Sequence, residues 1–231
     1  MTFAETMRAL ETAGTEQARK IYRRHGARDP MFGVSFAVLG KLQKKIRTDP
    51  ALARALWESG NVDARNLATM IADPTQTTAT ELEGWVNDPR SGFHSGLLAR
   101  NVIVRTAFAR EKALKWIKSS RPETAQIGWM LVSAGAERPG LFNDAELLGL
   151  LPVIEANIHT APNSVREAMN YAVIAIGIRN APCRKAALAA AKRIGKVEVD
   201  HGETNCKTPD AAAYIMKTFA HRAAKGGELK E

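Results

Sequence analysis

Apolar residues recur with a period close to 3.6 along almost the whole of this 231-residue chain, and alternating strand-like patterns are nearly absent. That constrains the chain to helices packed on helices. Val34, Val38, Leu42 and Ile46 form one stripe, Leu147, Leu151, Ile154 and Ile158 a second, and Val165, Met169, Ala172, Val173 and Ile176 a third, with Leu188, Ala191 and Ile194 as a fourth. Turn residues interrupt the pattern at short intervals: Gly14, Gly26 to Pro30, Asp49-Pro50, Gly60-Asn61, Asp73-Pro74, Asp88-Pro89, Arg121-Pro122, Pro139-Gly140, Pro162-Asn163 and Asn180 to Pro182. These marks predict an all-α protein of about a dozen short helices, each of roughly 10 to 17 residues.

Helices of that length in antiparallel pairs, at about 35 to 45 residues per pair, predict a HEAT-like repeat superhelix, an α-α solenoid whose repeats are degenerate in sequence. A globular bundle would need longer helices or a few long loops. Stacked pairs curve, so one face is expected to be concave. No linker or low-complexity tract divides the chain, which reads as a single domain over residues 1–231, with 225–231 as a frayed polar tail. At 45% hydrophobic residues it can bury its own core. No apolar run reaches the ~18 residues of a membrane span, and Met1 to Leu10 lacks the pattern of a signal peptide. The expectation is a cytoplasmic protein whose two cysteines, Cys183 and Cys206, are thiols.

Charge is the second strong feature. The chain carries a net +9, and the excess is clustered. Arg19 to Arg47 holds nine Lys and Arg against Asp29 alone, and Arg100 to Arg121 holds seven against Glu111 alone, so the remainder is acidic on balance. Separate basic patches on a mixed surface suit a polyanion such as nucleic acid. Solvated helix faces are the plainer reading of the same residues.

The stretch from Val197 to Tyr214, VEVDHGETNCKTPDAAAY, gathers Asp200, His201, Glu203 and Cys206 around Gly202. Those side chains could ligate a metal, but metal sites usually pair close ligands with distant ones, and all four lie in one turn. The reading adopted is a turn without metal or other cofactor. It is followed by a helix capped by Thr208 and begun by Pro209 and Asp210.

Taken in order, Tyr22 to Val34 with the basic helix after it, Leu56-Trp57 with the Ala64 to Ala72 helix, Leu82 to Val104, Ser164 to Asn180 and the VEVDHGETNCKTPDAAAYI ending resemble the DNA alkylation repair family, the HEAT-like AlkD-type DNA glycosylases. The resemblance implies a helical superhelix that binds duplex DNA, alkylated duplex included, and hydrolysis of the bond from deoxyribose to an N3- or N7-alkylated purine. The cationic leaving group makes that bond weak, so a carboxylate that stabilises oxocarbenium charge suffices, with aromatic faces holding the base. The family supplies the carboxylate and a Trp from a segment like SWDLCD, which aligns with Ser91 to Gly96, SGFHSG. Gly92 stands at the Trp and Gly96 at the Asp. Gln126 aligns with a phosphate-facing Arg, and Tyr171 with a second Trp.

Glycine supplies neither a carboxylate nor an indole, so this chain reads as a divergent member that binds DNA on a basic concave face without the family's catalytic pair. Lys41, Lys44 and Lys45, together with Arg100 and Arg105 on a helix expected to begin at Ser91, are the predicted DNA contacts. Trp85, Gln126 and Tyr171 are the residues expected to face a base, while the other tryptophans read as core. Asp88, His94 and Ser95 are the nearest replacements for the missing carboxylate, which leaves open an active glycosylase with a relocated group. A non-catalytic scaffold that binds an acidic protein is the other alternative. Gly92 and Gly96 form a small-xxx-small pair, read as the close approach of a neighbouring helix. A monomer is expected.

Overall fold

Side-chain oxygens start most of the helices. In the computed structural model, which describes residues 1–224, Thr2, Thr15, Ser35, Asp49, Asn61, Thr78, Asn143 and Asn180 each accept a backbone N–H from the first turn of the helix that follows. Pro50, Pro122 and Pro182 occupy first turns, where a missing N–H costs nothing. The turn punctuation of the sequence is therefore largely a record of helix caps. Among the described residues there are twelve α-helices of eight residues or more and no strand, the HEAT-like all-α architecture expected. No described helix is long and apolar enough to cross a membrane. The proposed tail, 225–231, lies outside the described residues.

The chain divides into two compact units, Met1–Ala107 with Gly202–Thr204, and Phe108–His201 with the residues from Asn205 onward. The first contains α1 (Phe3–Ala13), α2 (Glu16–Arg24), α3 (Phe36–Ile46), α4 (Pro50–Glu58), α5 (Val62–Ile71), α6 (Ala79–Asn87) and a single turn, α7 (Ser95–Leu97). Helix α5 runs through its core. Every residue from Val62 to Thr69 is buried, and α5 packs on α1, α3, α4 and the segment around α7. A helix buried all round has to account for its polar residues. The Asp63 carboxylate, 0% exposed, accepts the backbone N–H groups of Phe32 (2.6 Å), Gly33 (2.9 Å) and Val34 (2.7 Å). The Tyr22 hydroxyl donates to the Val34 carbonyl, and burial together with the Asp63 charge pushes that phenol up to about 12. Val34, predicted to open the α3 stripe, thus belongs to an extended strap before the helix. The fully buried residue of α3 is Leu39, one position off the predicted stripe.

The second unit holds α8 (Ala109–Trp116), α9 (Pro122–Gly135), α10 (Asp144–Asn157), α11 (Asn163–Gly177), α12 (Ala181–Ile194) and α13 (Ala211–Ala224). Helix α11 is its centre and packs on α9, α10, α12 and α13. The α10 and α11 stripes are buried as predicted. On α12 the buried face is Cys183, Ala187, Ala190 and Ala191, so the predicted Leu188 and Ile194 flank it and are only half-buried. A Cβ on Gly128 of α9 would meet the Ile117 nitrogen at 2.5 Å, so glycine there lets α9 approach the end of α8. The Arg222 guanidinium of α13 donates to Glu137 (2.6 Å) and to the Ile178 carbonyl (3.0 Å).

The helix after the ligand-rich turn starts later than predicted. Its first turn is capped by Asp210, whose carboxylate accepts the Ala213 N–H at 2.7 Å. Thr208 instead pairs its hydroxyl with Nε2 of His201 at 3.0 Å. Aspartate is the stronger cap, being charged as well as a hydrogen-bond acceptor at the positive helix end.

Candidate nucleic-acid interface

The segment aligned with the family's catalytic turn is not the regular helix expected from Ser91 onward. It runs as a 3-10 turn (Gly92–His94), the single turn α7, a π turn (Leu98–Val102) and a second 3-10 turn (Ile103–Arg105). Glycines at 92 and 96 supply little helix propensity, and an irregular path can bury Leu97, Leu98, Ala99, Val102, Ile103 and Val104 together. The close helix approach predicted at Gly92 is absent, since a Cβ there would meet nothing within 4 Å.

The groups nearest this turn are committed elsewhere. Arg65, 1% exposed, donates through Nε to the Trp57 carbonyl (3.0 Å) and through Nη2 to Asp88 (2.5 Å). Its guanidinium lies 4.7 Å from the centre of the Trp57 ring. Arg90 contributes further bonds to Asp88 from its backbone and side chain. Burial pushes the Asp88 carboxyl up, but the hydrogen bonds of Arg65 and Arg90 together outweigh it and hold the group well below the usual carboxylate range. His94 is 1% exposed and donates from Nδ1 to Oδ1 of Asn66 at 2.9 Å. Burial, with the Arg65 charge adding to it, lowers its pKa to about 3. A neutral imidazole and a carboxylate shared by two guanidiniums are poorly suited to proton transfer near neutrality.

Trp85, expected to offer a face to a base, is 7% exposed and stacks on Trp57 with ring centres 4.6 Å apart. Its face is occupied by protein because the two indoles fill the space between α4 and α6. Trp116 and Trp129 are buried as well, at 5% and 0%. Tyr171, on α11, is 43% exposed, and Gln126, on α9, is half-buried.

The predicted cationic contacts are on the surface. Lys41, Lys44 and Lys45 are exposed on α3, and Arg100 and Arg105 are exposed on the irregular segment. Many other cations of the chain are neutralised: Arg23 faces Asp29, Arg54 faces Glu81, Arg110 faces Glu146, Arg179 faces Asp144 and Arg193 faces Glu155. Among the described residues, no ion pair engages the five predicted contacts or Arg47. Lys44 and Arg105, distant in sequence, line one recess of about 620 Å³ together with Arg47. Arg47 belongs to the same basic run, but nothing in its spacing sets it apart. Nothing in the sequence singles out Arg65, because an Arg between the polar Asp63 and Asn66 carries no sign of its distant partner.

In the ligand-rich turn, Nδ1 of His201 lies 3.9 Å from Glu167 on α11. Asp200 pairs through its backbone with the Asn163 side chain, at 2.8 and 2.6 Å. Among the described residues no three His, Cys, Asp or Glu side chains converge on a common point where a metal would sit. The turn borders a second recess, of about 870 Å³, with Arg166, Lys196 and Lys207 in its lining.

Three similarities accompany this geometry. The sequence model of a family described as DNA alkylation repair enzyme matches residues 6–215. Two uncharacterized proteins, one from Listeria innocua and one from Listeria monocytogenes, are each 30% identical over 224 residues, covering 94% of this chain and 97% of their own. A solved structure, described as a new family of proteins related to the HEAT-like repeat DNA glycosylases with affinity for branched DNA structures, aligns over 100% of this chain and 97% of its own. Its TM-score is 0.86 and its identity 27%.

Proposed function

The chain belongs to the DNA alkylation repair enzyme family, and on that premise we propose that it is a DNA-binding member without the family's glycosylase chemistry. The observation that carries the reading is the set of exposed cations that have no ion partner among the described residues, Lys41, Lys44, Lys45, Arg47, Arg100 and Arg105, in a protein that pairs many of its other arginines. Unpaired surface cations release counterions when they meet phosphates, which supplies most of the affinity for a duplex backbone. Lys41, Lys44 and Lys45 contact the backbone from α3, with Arg105 on the recess that Lys44 lines and Arg100 on the same irregular segment as Arg105. Branched DNA presents several duplex arms to such a surface, and the affinity of the structural relative for branched DNA supports that substrate class. Chemistry at a glycosidic bond lacks a group: glycines replace the Trp and the Asp, and Asp88 and His94 are engaged by Arg65, Arg90 and Asn66. Gln126 and Tyr171 remain the residues proposed to face a base. The protein acts as a monomer, without metal or other cofactor, in the cytoplasm.

Electrophoretic binding to a random-sequence duplex and to a four-way junction, beside an assay for release of N7-methylguanine and N3-methyladenine from methylated duplex, tests the reading. Binding without release is expected. Release well above uncatalysed depurination would overturn the non-catalytic reading, and failure of random duplex to compete would favour an acidic protein partner. Replacing Lys41, Lys44 and Lys45 by Ala should weaken binding and reduce the salt slope by about 2 to 3.

A further inference from the structure

The recess at the ends of α3 and α5 has an unusual residue at its rim. Arg47 follows α3 with φ 66° and ψ −121°, and it is the one non-glycine with positive φ among the described residues. Its N–H closes the helix on the Gln43 carbonyl at 2.6 Å. Glycine would occupy that conformation without steric cost, whereas a side chain there is strained. Strain of this kind persists where the side chain itself is needed.

What the side chain offers is charge in company. Lys44 and Arg105 line the same recess, and Asp73 is the one carboxylate among its lining residues. The Asp73 oxygens are taken up by the Thr75 N–H and hydroxyl and by the Gln76 amide. Those bonds, with the Arg105 charge adding to them, hold its carboxyl below the usual range. The C-terminal ends of α3 and α5 each contribute about half a negative charge. Gln43 takes part of that by donating to the Met70 carbonyl at 3.1 Å. Three cations against one carboxylate and two helix ends leave a surplus of about one positive charge. That matches a phosphodiester, which carries a single charge, better than a doubly charged terminal phosphate.

We propose that this recess is a phosphodiester-binding site in which Arg47, Lys44 and Arg105 hold one backbone phosphate, an inference that rests on the DNA-binding reading. Arg47 is the positioning element: its strained backbone projects a fork of donors that lysine lacks and that a phosphate accepts in pairs.

Arg47→Gly separates a binding role from a structural one. If Arg47 serves phosphate, glycine relieves strain, so the thermal midpoint stays level or rises by about 2 °C. Affinity for a short random duplex then falls roughly tenfold, with a salt slope lower by about 0.9. If Arg47 serves only to complement the helix end, the midpoint falls and the salt slope is unchanged, which overturns the proposal. Arg105→Ala should weaken binding in the same way. Wild-type binding with both variants unaffected would refute the recess and leave the DNA-binding reading standing. Should the wild-type protein bind no DNA, that reading fails, and a titration with dimethyl phosphate followed at the arginine Nε–H resonances decides the recess alone. Saturable shifts of Arg47 and Arg105, with Arg100 still, would sustain it, and uniform or absent shifts would end it.

Discussion

The guanidinium of Arg65, almost entirely removed from solvent, holds the carboxylate of Asp88 at 2.5 Å from the core of the first unit. Breaking such a pair by removing one charge leaves the other uncompensated. Asp88→Asn is therefore expected to destabilise the protein by about 2 to 3 kcal/mol, since Asp88 itself is partly solvated. Urea unfolding measures this, and a loss below about 0.5 kcal/mol would mean the pair contributes nothing. Because the folded pKa of Asp88 is depressed, its contribution is complete above the unfolded carboxylate range near ~4 and is lost as pH falls below it.

His94 makes a second, separable pH dependence. Its pKa is lowered from 6.5 to about 3 in the folded protein, so between those values the unfolded chain binds one proton that the folded chain does not. Stability should then decrease as pH falls from 6.5, by about 1 kcal/mol per pH unit from this group. His94→Gln keeps a donor for Asn66 and removes the titration. Unfolding free energies at pH 7, 6 and 5 should fall less steeply in the variant, and identical slopes would contradict the assignment.

The carboxylate of Asp63 satisfies three consecutive N–H groups of the strap, Phe32 to Val34. Asp63→Asn turns an amide toward those donors and removes the charge assistance. A cost of about 2 to 4 kcal/mol is expected, with faster amide exchange confined first to residues 32–34. Unchanged exchange there would show that the strap is held by other contacts.

Two glycines should respond oppositely to alanine. Gly128→Ala drives a methyl into backbone of the α8 end at 2.5 Å and should cost about 1 to 3 kcal/mol. Gly92→Ala meets nothing within 4 Å and should be neutral or slightly stabilising. Thermal midpoints of the two variants side by side check the contrast, and equal midpoints would sink it.

Introducing the Trp and Asp that the family resemblance leads one to expect at Gly92 and Gly96 tests whether this scaffold can support glycosylase chemistry. Gly92→Trp with Gly96→Asp should express as a folded protein if the open space at Gly92 admits an indole. No release of N7-methylguanine is expected, because the turn that would aim these side chains follows 3-10, α and π geometry in succession and catalysis fails when groups are misplaced by about 1 Å. Release at a rate above depurination would show that the turn is already preorganised.

Periodicity and punctuation made the helices, their number and most of their starts legible, because amphipathic spacing and capping side chains are local properties. The α10 and α11 stripes were readable for that reason, and so were the exposed lysines of α3. What depends on distant partners was not. Val34 left its predicted helix because Asp63 and Tyr22, far away in sequence, satisfy an extended backbone there, and Thr208 lost its cap to Asp210 while turning to His201. Trp85 is closed by Trp57, and Asp88 is claimed by Arg65, pairings that no spacing announces. The convergence of Lys44, Arg47 and Arg105 on one recess is likewise tertiary. Local chain chemistry determined which segments are helices and which charges the surface carries; only packing, which brings residues dozens of positions apart within a few ångströms, decided which of those charges are neutralised and which, among the described residues, stay without an ion partner.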